Sequence, residues 1–248
     1  MIPGAAPLPA RMIWSAVVVL ALIGITAAYG RTVLVADLTT RSEPLRAYLI
    51  ERLGRHDPLA GRRPSDFRRF DGPFAAHSIV ARLHVIPGAV FLAFTPLQFS
   101  SRIRRRLPAI HRWSGRLLLA LALVATLAAF FFGMLLPFGG WGETIPITLF
   151  GGIFLVSLGR AFVAIRRRDV RLHREWMIRA FAIALGISTV RIVGVALDFA
   201  LLSAALSSEA VFVMSVWIGW TITFATGEAW IRYTRTRARS AVAAVATV

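Results

Sequence analysis

Residues 101–137 read SRIRRRLPAIHRWSGRLLLALALVATLAAFFFGMLLP, and this stretch decides the fold. Its first part, Ser101–Arg116, carries six arginines and no acid. Its second part, Leu117–Pro137, carries no charged residue at all. At roughly 1.5 Å rise per residue, a helix of about 20 such residues crosses the hydrocarbon core of a bilayer. A basic segment feeding a charge-free run of that length reads as a membrane span entered from its arginine end.

The same alternation recurs along the chain. Apolar spans are expected at Arg11–Tyr29, Phe74–Gln98, Leu117–Pro137, Pro146–Arg166, Trp176–Ala200 and Ala210–Arg232. The fold class is therefore all-α: a polytopic transmembrane helix bundle with six spans. The first run has some marks of a signal peptide, since Arg11 precedes an apolar stretch ending in Thr26-Ala27-Ala28. Its core exceeds the usual length of such a segment, so it reads as an uncleaved first helix. The chain then divides into a first helix (1–30), an extracytoplasmic loop (31–73), a five-helix core (74–232) and a basic tail (233–248).

Composition excludes several chemistries. Of the 248 residues, 57% are hydrophobic, too many for a soluble domain of this size. The formal net charge of +17 does not indicate nucleic acid, because the arginines sit between apolar runs rather than on one soluble face. All 29 basic residues are arginine, so no lysine Schiff base can form. The absence of cysteine removes disulfides, iron–sulfur clusters, thiolate metal sites and covalent c-type haem.

Arginine also sets the orientation. Segment 160–179 has seven arginines against Asp169 and Glu175, and Arg232, Arg235, Arg237 and Arg239 follow the last span. The alternate connections, 138–145 and 198–209, have none. The basic side is expected to face the cytoplasm of a bacterium, with both termini inside. Loop 31–73 would lie outside despite nine arginines and six acids, which long loops tolerate. Within it, Ser42-Glu43-Pro44 followed by Leu45, Leu49, Leu53 and Gly54 predicts a capped amphipathic helix at the outer surface. Residues 57–73, rich in Pro, Gly and Arg, predict irregular loop.

Ionisable groups within spans are costly and mark candidate sites. In the outer leaflet, His77 and His84 are seven residues apart and so share a helix face, which continues through Gly88 and Thr95 with Gln98 to one side. Pro87 and Pro96 each release a backbone carbonyl one turn back. Arg191, with Asp198 on the same face of the fifth span, falls at the depth of His84, so Arg82, His84, Arg191 and Asp198 are expected to form one network with His77 nearby. At the cytoplasmic boundary, His111-Arg112-Trp113-Ser114-Gly115-Arg116 and His173-Arg174-Glu175-Trp176-Met177-Ile178-Arg179 open two spans running in the same direction. They read as a degenerate repeat that sets His111 and His173 at equal depth. Glu228, near the inner end of the last span, is placed to pair with Arg116 or Arg179.

These residues resemble those of an uncharacterised bacterial membrane family, domain of unknown function 2306. The likeness lies in His84 with Gly88, Pro96-Leu97-Gln98-Phe99, Pro108 with His111-Arg112-Trp113 and Gly115-Arg116. It continues through Asp169 with His173-Arg174, Trp176-Met177-Ile178-Arg179, Arg191, Trp217, Trp220 and Glu228. The resemblance implies a helical bundle over about residues 74–230 and no established activity. Where the family commonly has an asparagine in the last span, this chain has Ile222-Thr223-Phe224.

Three functions use the same residues. In the first, His111 and His173, with His84 as a further candidate ligand, bind a b-type haem; two axial ligands from different helices are required. In the second, His84 with the Arg191–Asp198 pair binds a small molecule or relays protons for transport. In the third, the polar clusters only lock helix packing in a subunit of a membrane complex or in a homo-oligomer. In each, the bilayer is the solvent and the basic face meets anionic lipid headgroups.

Overall fold

The computed structural model describes residues 8–40, 64–200 and 206–246. Among the described residues every element is helical and no strand occurs. Six helices are long and apolar enough to cross a membrane: Pro9–Thr32, Ser78–Gln98, Pro108–Leu135, Trp141–Arg166, Val170–Asp198 and Ser208–Ser240, called here the first to sixth spans. Most extend beyond the apolar runs because capping chemistry, not hydropathy, sets their ends. The third span starts at Pro108, a residue that needs no helical N–H partner at the first position. The fifth starts at Val170 because the Asp169 carboxylate accepts from the Leu172 N–H at 2.9 Å. The helix containing the sixth span runs through Ser208–Ala246, well into the basic tail.

One expectation is corrected before the second span. Residues 64–73, read as irregular from their Pro and Gly content, belong to a helix, Pro64–Ala76. Pro64 occupies the tolerated first position, and Phe70 and Phe74, one turn apart, bind this helix to the bundle. The amphipathic helix expected at residues 42–54 lies outside the described residues. The second span begins at Ser78 rather than Phe74, because His77 leaves helical geometry with φ −116° and ψ 50°.

The second span packs mainly on the third, the fourth on the fifth, and the fifth on the sixth, while the first lies against the second and fifth. The interior is filled where Phe91, Phe154 and Phe181 meet, with Leu118, Ala122 and Leu158 around them. Small residues allow the closest crossing. A Cβ on Gly219 would fall 2.6 Å from the backbone nitrogen of Val190, so only glycine fits where the fifth and sixth spans touch. Outward-facing positions such as Leu117, Leu127, Leu149, Val156 and Phe162 are exposed and apolar, as a bundle bathed in lipid requires.

Side-chain bonds fix the registers. His84 meets Ala125, and Gln98 meets Ser114, across the antiparallel second and third spans. His173 meets Ala161 across the fourth and fifth, and Arg179 meets Glu228 across the fifth and sixth. These registers bring His111, Gln98, Ala161 and His173 to one end of the bundle, the basic rim. The helix Pro64–Ala76, with the start of the second span, lies at the opposite rim.

Candidate functional site

At the basic rim, His111 opens the third span and His173 opens the fifth. The charge of His173 reaches His111. His173 Nδ1 lies 2.9 Å from the carbonyl oxygen of Ala161. A carbonyl can only accept, so Nδ1 carries the hydrogen and Nε2 carries the lone pair whenever the ring is neutral. His111 Nδ1 is buried and has no hydrogen-bond partner among the described residues. Nearby, the Gln98 amide donates to Ser114 Oγ at 2.8 Å, Ser114 donates to the Ile110 carbonyl at 2.6 Å, and Gln98 Oε1 is buried without a partner among the described residues.

Arginines surround this pair. The charges of Arg104 and Arg112 reach His111, and that of Arg104 reaches Arg174. Arg104 donates to the Phe99 carbonyl at 2.7 Å. Among the described residues, no carboxylate forms an ion pair with Arg104, Arg112 or Arg174. This is a cationic cluster with imidazoles at its centre.

Beside it, the pairing left open for Glu228 is resolved. Glu228 takes Arg179, whose Nε and Nη2 donate to its two oxygens at 2.5 and 3.1 Å. Arg116 is not part of that pair; its guanidinium lies 5.0 Å from the Trp113 ring. Arg179 also lies 4.5 Å from the Trp176 ring. A second bidentate pair, which sequence reasoning missed, joins buried Glu175 to Arg235 with Nε donating at 2.7 Å. Its partner sits in the tail segment, where no apolar pattern marks a helix.

The opposite rim departs further from expectation. His77 and His84 do not share a continuous helix face, because the backbone turns out of the helix at His77. The exposed His77 ring packs against Phe131 with centroids 5.1 Å apart. His84 is directed into the bundle, where its Nδ1 donates to the Ala125 carbonyl at 2.9 Å. Arg82, two residues earlier and about 200° around the helix, is exposed. Arg191 donates to the Ile187 carbonyl on its own helix at 3.0 Å, and its charge reaches His84. Asp198 is buried at the end of the fifth span. No bond directly joins His84, Arg191 and Asp198, so the single network expected of them is not formed among the described residues.

Arg31 of the first span, unmarked in the sequence reading, is the central cation of this rim. It pairs with buried Asp71 of the helix Pro64–Ala76, lies 4.8 Å and 4.0 Å from the Phe70 and Phe74 rings, and extends its charge to His84. Phe74 stacks on Phe132 at 4.1 Å, while Phe70 meets Phe138 and Phe212. Phe132 lies in a π-helical turn, Phe131–Leu135, and Thr144 Oγ1 donates to the Gly133 carbonyl there at 2.8 Å. No acidic trio or larger His/Asp/Glu group of metal-binding geometry occurs among the described residues.

Comparison with known proteins gives one match. The model of the family described as Predicted membrane protein (DUF2306) matches residues 81–231. That range runs from the second span to the sixth and contains His84, His111, His173, Arg191 and Glu228, but not Arg31, Asp71 or Arg235. No curated protein and no solved structure matches the chain.

Proposed function

Because the chain belongs to this family of predicted membrane proteins, with six candidate spans, we propose that it is a bacterial inner-membrane protein that holds a b-type haem between His111 and His173. What supports the reading is that two imidazoles, each in the first turn of a different span, stand within reach of each other's charge. The basic rim faces the cytoplasm in this reading, by the distribution of arginine.

The residues fit such a group in three respects. Low-spin haem takes two nitrogen ligands from opposite sides, and separate helices supply them. The bond from His173 Nδ1 to the Ala161 carbonyl fixes the ring and leaves Nε2 as the donor, the outer-shell arrangement typical of ligating histidines. Arg104, Arg112 and Arg174 offer charge-assisted hydrogen bonds to propionate carboxylates. When bound, the group would supply reversible one-electron transfer. The chain's residues would orient it, neutralise its acids and hold it at the membrane boundary, without a covalent link since cysteine is absent.

An optical spectrum of the purified protein tests the reading. A Soret band is expected, and His111→Ala or His173→Ala should abolish it while His77→Ala leaves it intact. A protein purified after expression with haem supply that shows no Soret band refutes it.

A further inference from the structure

Buried hydroxyls in this bundle generally bond the carbonyl one turn back. Thr126, Ser157 and Ser215 do so at 2.7, 2.7 and 2.6 Å, and Thr223 at 3.2 Å. Thr95 and Ser188 do not. Both are fully buried, at 0% exposure, and neither hydroxyl has a partner among the described residues. Thr189 Oγ1, Gln98 Oε1 and His111 Nδ1 are in the same condition. An unmet hydroxyl is costly in any interior and more so in a bundle surrounded by lipid, so these exceptions call for a missing partner.

The exceptions are not scattered. On the second span, His84, Gly88, Phe91, Thr95 and Gln98 fall within one narrow arc of the helix. His84 Nδ1 is occupied by Ala125, and no described residue bonds Nε2. A Cβ on Gly88 would meet nothing within 4 Å. Pro96 releases the Leu92 carbonyl from its usual helical bond, and Pro87 releases that of Leu83. Ser188 Oγ and the Leu92 side chain both face Gly24 of the first span, which places the Ser188 hydroxyl beside this stretch. Below Gln98, the line reaches Ser114 and His111 at the basic rim.

We infer that a file of water molecules threads the bundle along this face of the second span and conducts protons between His84, inside the bundle, and His111 at the basic rim. From His84 to Gln98 the path is about 21 Å long by helical rise. Water can donate to Gln98 Oε1, to the Leu92 carbonyl and to His84 Nε2, and can bond the Thr95 and Ser188 hydroxyls. Phe91, packed on Phe154 and Phe181 with centroids 5.8 and 6.4 Å apart, is the one apolar side chain on the arc. It is the narrowing of the file. The inference does not depend on haem.

The test is proton flux into potassium-loaded liposomes containing the full-length protein, driven by valinomycin and read with a pH-sensitive dye. Flux above protein-free vesicles is expected from the native chain. Thr95→Val and Ser188→Ala should each lower it about fivefold, the loss of one hydrogen-bonding station. Gly88→Leu should block it by filling the space, whereas Phe91→Ala should raise it. Native flux equal to that of empty vesicles overturns the inference, as does unchanged flux from any of these variants that elutes as folded protein. Radiolytic hydroxyl labelling of the native chain supplies the arm that needs no variant: Phe91 should be modified by adjacent water, and an unlabelled Phe91 beside labelled surface tyrosines counts equally against the file.

Discussion

Glu228→Gln is the substitution whose effect follows most directly from the geometry. The carboxylate receives two guanidinium bonds from Arg179, at 2.5 and 3.1 Å, and the side chains are 25% and 15% exposed. Two unit charges about 4 Å apart attract by about 4 kcal/mol at an effective dielectric near 20. Removing both from water offsets part of that attraction, which leaves a net coupling of about 2 kcal/mol. The single variant should lose somewhat more, about 3 kcal/mol, because it leaves the Arg179 guanidinium half-buried without its counter-charge. A double-mutant cycle with Arg179→Gln, followed by circular dichroism during unfolding in mixed micelles, separates the two quantities. The Glu175–Arg235 pair serves as the internal comparison. Arg235 is 43% exposed, so its coupling should be the smaller of the two. A coupling for Arg179 and Glu228 under about 0.5 kcal/mol, or the reverse order of the two pairs, would refute the claim that this contact fixes the register of the last two spans.

Two further outcomes follow from the opposite rim and the tightest crossing. Arg31→Gln removes the ion pair to Asp71 and the cation held by Phe70 and Phe74, so residues 69–77 should exchange amide hydrogens at least about tenfold faster while the fifth and sixth spans keep their protection. Uniform exchange across the chain would contradict this. Gly219→Val forces a side chain onto the Val190 backbone, 2.6 Å from where its Cβ must lie, and should cost about 2 kcal/mol or more in the same unfolding assay, whereas Gly159→Ala, with open space around it, should cost far less.

The spans were legible because a membrane helix meets its own hydrogen bonds and needs only length and apolarity to be recognised. The placing of His111 and His173 in the first turns of their spans was legible for a related reason. Both lie at the start of spans that run in the same direction, so counting along the sequence suffices. What counting cannot supply is rotation about the helix axis. Glu228 was therefore left between Arg116 and Arg179, and His84, Arg191 and Asp198 were joined in one network that the helix rotations do not build. The helix Pro64–Ala76 was missed because its stability comes from residues distant in sequence. Arg31, Phe132, Phe138 and Phe212 hold it in place, and Gly72 and Pro73 obscure its local signal. Unpartnered atoms such as Thr95 Oγ1 have no sequence signature, because a buried threonine usually bonds its own helix.

His84 and His173 share one device, and it helps separate packing from chemistry. Each gives its Nδ1 hydrogen to a carbonyl on the neighbouring span at 2.9 Å, and each thereby joins two helices. A purely structural histidine needs no more than that bond. Packing alone leaves three features without a cause. In both rings Nε2 is left as an acceptor that no described residue uses. Arg104, Arg112 and Arg174 gather near His111 and His173, and among the described residues none of the three forms an ion pair with a carboxylate, although like charges in proximity oppose folding. Among the described residues, the Thr95 and Ser188 hydroxyls have no hydrogen-bond partner. An anionic ligand at the basic rim answers the first two for His173 and the arginines, and water along the second span answers the third and supplies the donor for His84. The two proposals act on different atoms, so either can fail while the other stands: a haem spectrum without proton flux would leave the rim site intact, and flux without haem would leave the water file intact.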